Sequence, residues 1–277
     1  MGRGARGAPR TRRPGWFAAL LALALAVVLA FLGLPILAVF LDTSPGALVE
    51  SLGQSEARDA LLLSLRTTSA ALVLILLVGT PAAYLLATRS FRGKAVVVTL
   101  VELPLVLPPA VAGIGLLAAV GPTGVLGGLV EGAGVELVLE TAGVIVALTF
   151  VAAPFYMRQA QSAFEALDRT WLDASRTLGA SEARTFARIA VPAAVPGLMA
   201  GVALAWGRAL GEFGATLMFA GSFRGITQTV PLAIYERFAT DFTGALALSA
   251  VLVAISAALL LTVKLLGGSQ RLGSAAG

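Results

Sequence analysis

Apolar residues run along this chain in blocks rather than stripes. Six runs, at about residues 16–41, 61–87, 95–120, 141–161, 196–219 and 242–266, carry few charges. Each is close to the roughly 20 residues that an α-helix needs to cross the hydrocarbon core of a bilayer. The pattern predicts an all-α membrane protein of six transmembrane helices. Pro35, Pro81, Pro104, Pro108 and Pro109 interrupt some of the runs. A membrane helix tolerates proline where neighbours or water re-satisfy the freed carbonyls. The crowded stretch VELPLVLPPAVAGIGLL (101–117) is therefore predicted to be kinked or locally unwound.

The polar segments between the runs alternate in sign. Fifteen of the 20 basic residues fall on one side: Arg3, Arg6, Arg10, Arg12 and Arg13 in the tail, Arg89, Arg92 and Lys94, then Arg158, Arg169, Arg176, Arg184 and Arg188, and finally Lys264 and Arg271. The opposite loops carry Asp42, Glu50, Glu56, Asp59, Glu131, Glu136, Glu140, Glu236 and Asp241, with Arg58, Arg224 and Arg237 as counterweights. Cytoplasmic loops hold the excess of Lys and Arg, so both termini are predicted inside. The layout that follows is a basic cytoplasmic tail (1–15), a first helix (16–41), a core (60–266) with a cytoplasmic loop at 167–195, and a short C-terminal tail (267–277). Arg12-Arg13 ahead of an apolar stretch resembles an export signal, but the run is about 25 residues, longer than a signal peptide's apolar region. It is read as an uncleaved helix.

Composition narrows the function classes. Hydrophobic residues make up 58% of the chain and charged ones 13%, about half the charge density of soluble domains. With no Cys and no His, disulfides, Cys/His metal sites and histidine acid–base chemistry are excluded. No paired acidic metal motif supports a membrane-embedded enzyme. No soluble basic face suggests nucleic acid. The Gly-rich 121–134 segment lacks a following Gly-Lys-Ser/Thr, so nucleotide is expected on another chain.

Two stretches carry candidate chemistry. LDRTWLDASRTLGASEARTFARIAVPAAVPG (167–197) is patterned as two short cytoplasmic helices. Asp168 is placed to cap the first, with Trp171, Ala174 or Ser175, and Leu178 at helical spacing. Gly179 suits the left-handed position past its end. Ser181 is placed to cap a second helix bearing Phe186 and Ile189, expected to stop before Pro192. Such an element either docks its apolar stripe into a partner's groove or lies on the membrane surface with its arginines on lipid phosphates.

The second stretch, RALGEFGATLMFAG (208–221), puts Arg208 and Glu212 inside the fifth apolar run. On one continuous helix they adjoin a face bearing Gly207, Gly211 and Gly214, and Gly197/Gly201 and Gly207/Gly211 are small-xxx-small pairs that permit close helix approach. Counted from Pro196, Arg208 lies about 18 Å along the helix, near mid-membrane. Buried charge there faces the bundle interior or a water-filled path. Three readings stand: an ion pair holding the helix in place, a part of a gate, or electrostatic guidance of an anion. Glu102 is expected to pair with Arg92 or Lys94, or to reach the cytoplasmic interface. Ser222, Arg224, Thr227, Gln228 and Thr229 read as a polar outward-facing loop.

Asp173-Ala174-Ser175, three residues, Gly179-Ala180, then Phe186 and Val191-Pro192 resembles the EAA loop of ABC-importer permeases, with Asp in place of Glu and Ser in place of the second Ala. The stretches 203–235 and 101–117 are similar to the corresponding regions of molybdate/tungstate permeases. Ala215-Thr216 and Gln228-Thr229-Val230-Pro231-Leu232 fit that branch better than the related sulfate/thiosulfate permeases. The resemblance spans roughly 60–266. It implies a type I importer permease of MetI-like fold in the bacterial cytoplasmic (inner) membrane. Asp173, Ala174, Ser175, Leu178, Gly179, Ala180, Phe186 and Pro192 would form the coupling element on the ATPase, and Arg208, Gly211, Glu212 and Gly214 a gate or helix-packing site. The implied partners are a second copy of this chain, two ATPase subunits carrying ATP and Mg, and an extracytoplasmic oxyanion-binding protein. No cofactor is expected on this chain. An ion-coupled secondary transporter is the competing class, favoured by inverted repeats; no half-to-half similarity is evident.

Overall fold

The computed structural model describes residues 15–273, and no strand occurs among them. The basic residues Arg3 to Arg13 of the N-terminal tail lie outside the described residues.

Helices α1 (Trp16–Leu41), α3 (Ser55–Thr88), α7 (Thr141–Glu165), α10 (Val191–Leu210) and α13 (Phe242–Gly273) supply the long apolar elements. The remaining run is split. Helix α4 (Lys94–Glu102) passes through a 3-10 turn (Leu103–Leu105) into α5 (Pro109–Val120), and the two arms bend by 116°. Counted as one broken span, they bring the crossings to the expected six. The bend is far sharper than a proline kink because three prolines fall within six residues: Pro104 inside the 3-10 turn, then Pro108 and Pro109, which leave two consecutive residues without an amide donor.

Three helices form the centre of the bundle, with α7 packed against both α3 and α10. Their contact is lined by small residues, including Ala71, Ala83, Ala152, Ala160, Ala194 and Ala205. That suits a solvent as apolar as the side chains, where close backbone approach drives helix association. Tyr156 of α7 lies between glycines of its two neighbours. A Cβ on Gly79 would sit 3.2 Å from the ring and one on Gly201 3.1 Å. Its hydroxyl shares a 2.6 Å hydrogen bond with Thr80 of α3, so the one polar atom of the ring is satisfied.

Shorter elements pack around these long helices. Helix α2 (Pro45–Gly53), capped by Ser44, packs on α3 and α13, while α6 (Gly127–Gly132) follows α5. Helix α11 (Gly214–Ala220) packs on α5 and α7, and α12 (Val230–Phe238) on α13. The α3 helix starts at Ser55, earlier than its apolar run, because its first turns pack through Ala57 and Ala60 against Val230, Ala233 and Leu248. Helix α1 touches α13 lightly and buries no residue in the chain, so most of its surface is left to lipid or to another subunit.

Candidate functional site

The 167–195 segment folds as a helix, a glycine turn and a second helix. Helix α8 (Arg169–Thr177) begins where the Asp168 side chain accepts the Thr170 N–H at 2.9 Å. That backbone bond holds the Asp168 carboxyl below its ordinary range. The helix ends with Gly179 at φ +80° and the Gly179 and Ala180 amides closing onto the carbonyls of Arg176 and Ser175, a left-handed stop for which glycine is suited. Ser181 then accepts from the Arg184 N–H and starts α9 (Glu182–Thr185). Both caps and the turn are as the sequence predicts.

Helix α8 has two distinct faces. Trp171 (55% exposed), Ala174 and Leu178 (88% exposed) point away from the chain. Leu172 and Ser175 are buried against it, and the Ser175 hydroxyl shares a 2.9 Å hydrogen bond with Thr185. The outward apolar stripe therefore runs through Ala174, while Ser175 joins α8 to α9. Asp173 is exposed and pairs with Arg176 at 3.1 Å.

Two expectations for the second helix are corrected. It does not stop before Pro192. A π turn (Phe186–Ala190) joins α9 to α10, and one continuous helical stretch runs from Glu182 to Leu210. Pro192 sits in the first turn of α10, where a missing donor is tolerated. Phe186 and Ile189 also do not continue the exposed stripe. Phe186 stacks with Tyr84 of α3 (ring centroids 4.9 Å apart) and lies 6.3 Å from Phe164 of α7, and Ile189 packs on the central core.

At the far end of α10 the fifth run is broken. The helix ends at Leu210, and the chain passes through Gly211, Glu212 and Phe213 before α11 begins at Gly214. The single-helix projection of Arg208, Glu212 and Gly214 therefore fails beyond Leu210. Arg208 lies in the last turn of α10, where a cation complements the exposed carbonyls. Glu212, only 1% exposed, turns the other way, and its carboxylate accepts the Ala215 N–H of α11 at 2.7 Å. Its second oxygen contacts Arg208 Nη2, an ionic contact not aligned as a hydrogen bond. The Glu212 carboxylate thus satisfies an open amide at the start of α11, within an apolar run where an unpaired backbone group is costly.

The glycines sort by face. A Cβ on Gly197 would come within 2.4 Å of Ala163 Cβ, and one on Gly214 within 2.7 Å of Pro109 Cβ. A Cβ on Gly207 would meet nothing within 4 Å among the described residues beyond its own helix, and both Gly207 and Gly211 are exposed. The Gly197/Gly201 pair therefore seats α10 on α7, whereas Gly207/Gly211 presents an open face.

Glu102 is partly exposed, and its basic neighbour is Arg158 of α7 at 3.8 Å rather than Arg92 or Lys94, because the turn at 103–105 packs the end of α4 on α7. The 222–229 loop is not simply solvated: Thr227, Gln228 and Thr229 are buried. Thr227 accepts the Phe223 N–H, and Ser64 of α3 accepts the Val230 N–H at 2.8 Å. Arg224 contacts Glu56 and hydrogen-bonds Glu236 at 2.9 Å, and Arg237 lies 3.4 Å from Glu56. The Glu236 hydrogen bond, then the charges of Glu56 and Glu236, raise the Arg224 pKa further. Sequence reasoning used Arg89 only to orient the chain and gave Glu182 no role, yet both oxygens of Glu182 lie 2.5 Å from Arg89 Nη2.

Five long apolar helices, a sixth broken span and a two-helix element between α7 and α10 define a multi-pass membrane protein. Residues 76–270 match the family described as binding-protein-dependent transport system inner membrane component, and the chain belongs to that family. Molybdenum transport system permease protein ModB of Mycobacterium tuberculosis is 39% identical over 233 residues, covering 84% of this chain and 88% of that one. Probable molybdenum ABC transporter permease protein HVO_B0370 of Haloferax volcanii is 38% identical over 263 residues, covering 95% and 94%. Among solved structures, a chain of a bacterial alginate ABC transporter in complex with its alginate-bound periplasmic protein superposes with a TM-score of 0.72 at 15% identity, covering 90% of this chain and 93% of that one. At that identity the likeness concerns the fold.

Proposed function

We propose that this chain is the membrane subunit of an ATP-driven importer of molybdate or tungstate, which receives the oxyanion from an extracytoplasmic binding protein. It works as a homodimer with two separate ATPase subunits that bind and hydrolyse ATP. The substrate class rests on one observation, the similarity to molybdenum permeases along most of both chains. The exposed Trp171–Ala174–Leu178 face of α8 supports the coupling role. An amphipathic helix presented on a capped, rigid mount is suited to a groove on another protein, and Asp173, Ser175, Gly179 and Ala180 hold that mount in shape.

The cycle follows from this arrangement. ATP draws the two ATPases together, and the α8 helices seated on them approach. Each carries the continuous Glu182–Leu210 helix with it, and the paired bundles open outward to take up the oxyanion. Hydrolysis resets them. This chain orients and gates and makes or breaks no bond. The Arg208–Glu212 pair sits where α10 gives way to α11, a position fitted to hold the break through that motion. A paired arginine offers little net charge to an anion, so the pair serves packing or gating.

Reconstitution with the neighbouring ATPase and binding protein in proteoliposomes tests the proposal. ATP-dependent uptake of molybdate is expected, competed by tungstate and only weakly by sulfate. Uptake of sulfate in preference to both would assign the sulfate/thiosulfate branch. Uptake without ATP, driven by an ion gradient, would refute the importer reading.

A further inference from the structure

The cytoplasmic element is joined to α10 by the chain itself, but its link to α3 depends on side chains. Leu172 of α8 is buried in the central core, and the Ser175–Thr185 hydrogen bond joins α8 to α9 within the element. A further tie to the bundle is ionic and centred on Glu182, the first residue of α9. Both its oxygens lie 2.5 Å from Nη2 of Arg89, the residue that closes the C-terminus of α3, and its Oε1 is 3.8 Å from Arg176 of α8. One carboxylate therefore meets the end of a membrane helix and the docking helix at once. Directly above it, Phe186 in the π turn leans on Tyr84, five residues before Arg89.

A coupling element must move α3 and α10 in a fixed relation, or displacement of α8 is lost as sliding between them. The π turn at Phe186–Ala190 is a place where the foot of the long helix yields, since its wider turn breaks the regular hydrogen-bond ladder. A contact that holds α9 to α3 beside that turn keeps the foot in register. We propose that Glu182 and Arg89 form a positioning clamp that transmits motion of the docking helix to α3. This rests on the proposal that α8 docks on the ATPase. Both side chains are more than half exposed, and such pairs add little to stability. The clamp's effect therefore lies in coupling, not in holding the fold.

The test uses the full complex of this chain with its ATPase and binding protein in proteoliposomes, measuring oxyanion uptake and ATP hydrolysis on the same preparation. Arg89→Gln and Glu182→Gln are each expected to lower uptake per ATP hydrolysed by about threefold, the scale of one partly exposed charge pair. The double variant is expected to be no worse than the worse single, because residues acting as one unit are not additive. Co-purification with the ATPase and the thermal midpoint stay at wild-type values. Unchanged coupling in the single variants, effects that multiply in the double, or a loss of assembly in either single would each overturn the clamp. Trp171→Ala with Leu178→Ala serves as the control. If that pair leaves assembly and coupling intact, the docking reading itself fails. If it disrupts them while Glu182→Gln does not uncouple, only the clamp fails.

Discussion

Replacing Glu212 by Gln separates the two roles that one buried carboxylate holds. The amide oxygen still accepts the Ala215 N–H, so the start of α11 keeps its cap. What disappears is the negative charge opposite Arg208. Removing one partner of a fully buried ion pair costs about 3–5 kcal/mol. Arg208, however, keeps 27% of its side chain exposed and recovers part of its solvation, which brings the cost to about 1–2 kcal/mol. For a domain of this size that corresponds to a fall of roughly 2–8 °C in Tm, small enough for the protein to remain folded. Glu212→Ala also removes the cap and is expected to lose about 1 kcal/mol more. The double variant Arg208→Gln/Glu212→Gln leaves no lone charge and is expected to melt above Glu212→Gln. Thermal unfolding of the purified complex reads these differences. Uptake per ATP in proteoliposomes reads the consequence for the cycle, which is expected to fall while the binding protein's affinity for oxyanion is untouched. Wild-type coupling in Glu212→Gln, or a double variant that melts no higher than it, would refute the reasoning.

Four other substitutions probe separate contacts. Gly197→Ala would force its Cβ to within 2.4 Å of Ala163 Cβ, so an overpacking cost of about 1–3 kcal/mol is expected in thermal unfolding; Ala163→Gly in the same chain should recover most of it. Gly179→Ala strains a φ of +80° by roughly 1 kcal/mol and rotates α8 on its mount, so the yield of ATPase co-purified with the chain should drop. Asp173→Ala, which frees Arg176, is expected to act in the same direction, and wild-type assembly and transport in both would contradict the docking role. Ser64→Ala leaves the buried Val230 N–H without its acceptor, at about 1–3 kcal/mol, and should lower stimulation of ATP hydrolysis by the binding protein through the 222–230 loop.

Local chemistry alone decided a good deal about this protein. Run lengths and the sidedness of Lys and Arg dictate membrane helices and their orientation, since a bilayer imposes one length scale and one charge rule on every segment. The Asp168 and Ser181 caps and the Gly179 stop were legible because each is a bond or a backbone angle within a few residues of itself. Trp171 and Leu178 of the outward face followed from helical spacing, which left Ala174 and Ser175 open until packing buried Ser175. What periodicity does not carry is a helix end inside an apolar run. Residues 196–219 look uniform to a hydropathy reading, and the break after Leu210 exists because Glu212 finds the Ala215 amide and Gly214 finds Pro109. The burial of Thr227–Thr229, the pairing of Glu102 with Arg158, and the meeting of Arg89 with Glu182 across 93 residues are likewise contacts between segments distant in sequence. Tertiary packing chose those partners, because a polar side chain in a membrane bundle takes whatever donor or acceptor the neighbouring helices bring within reach.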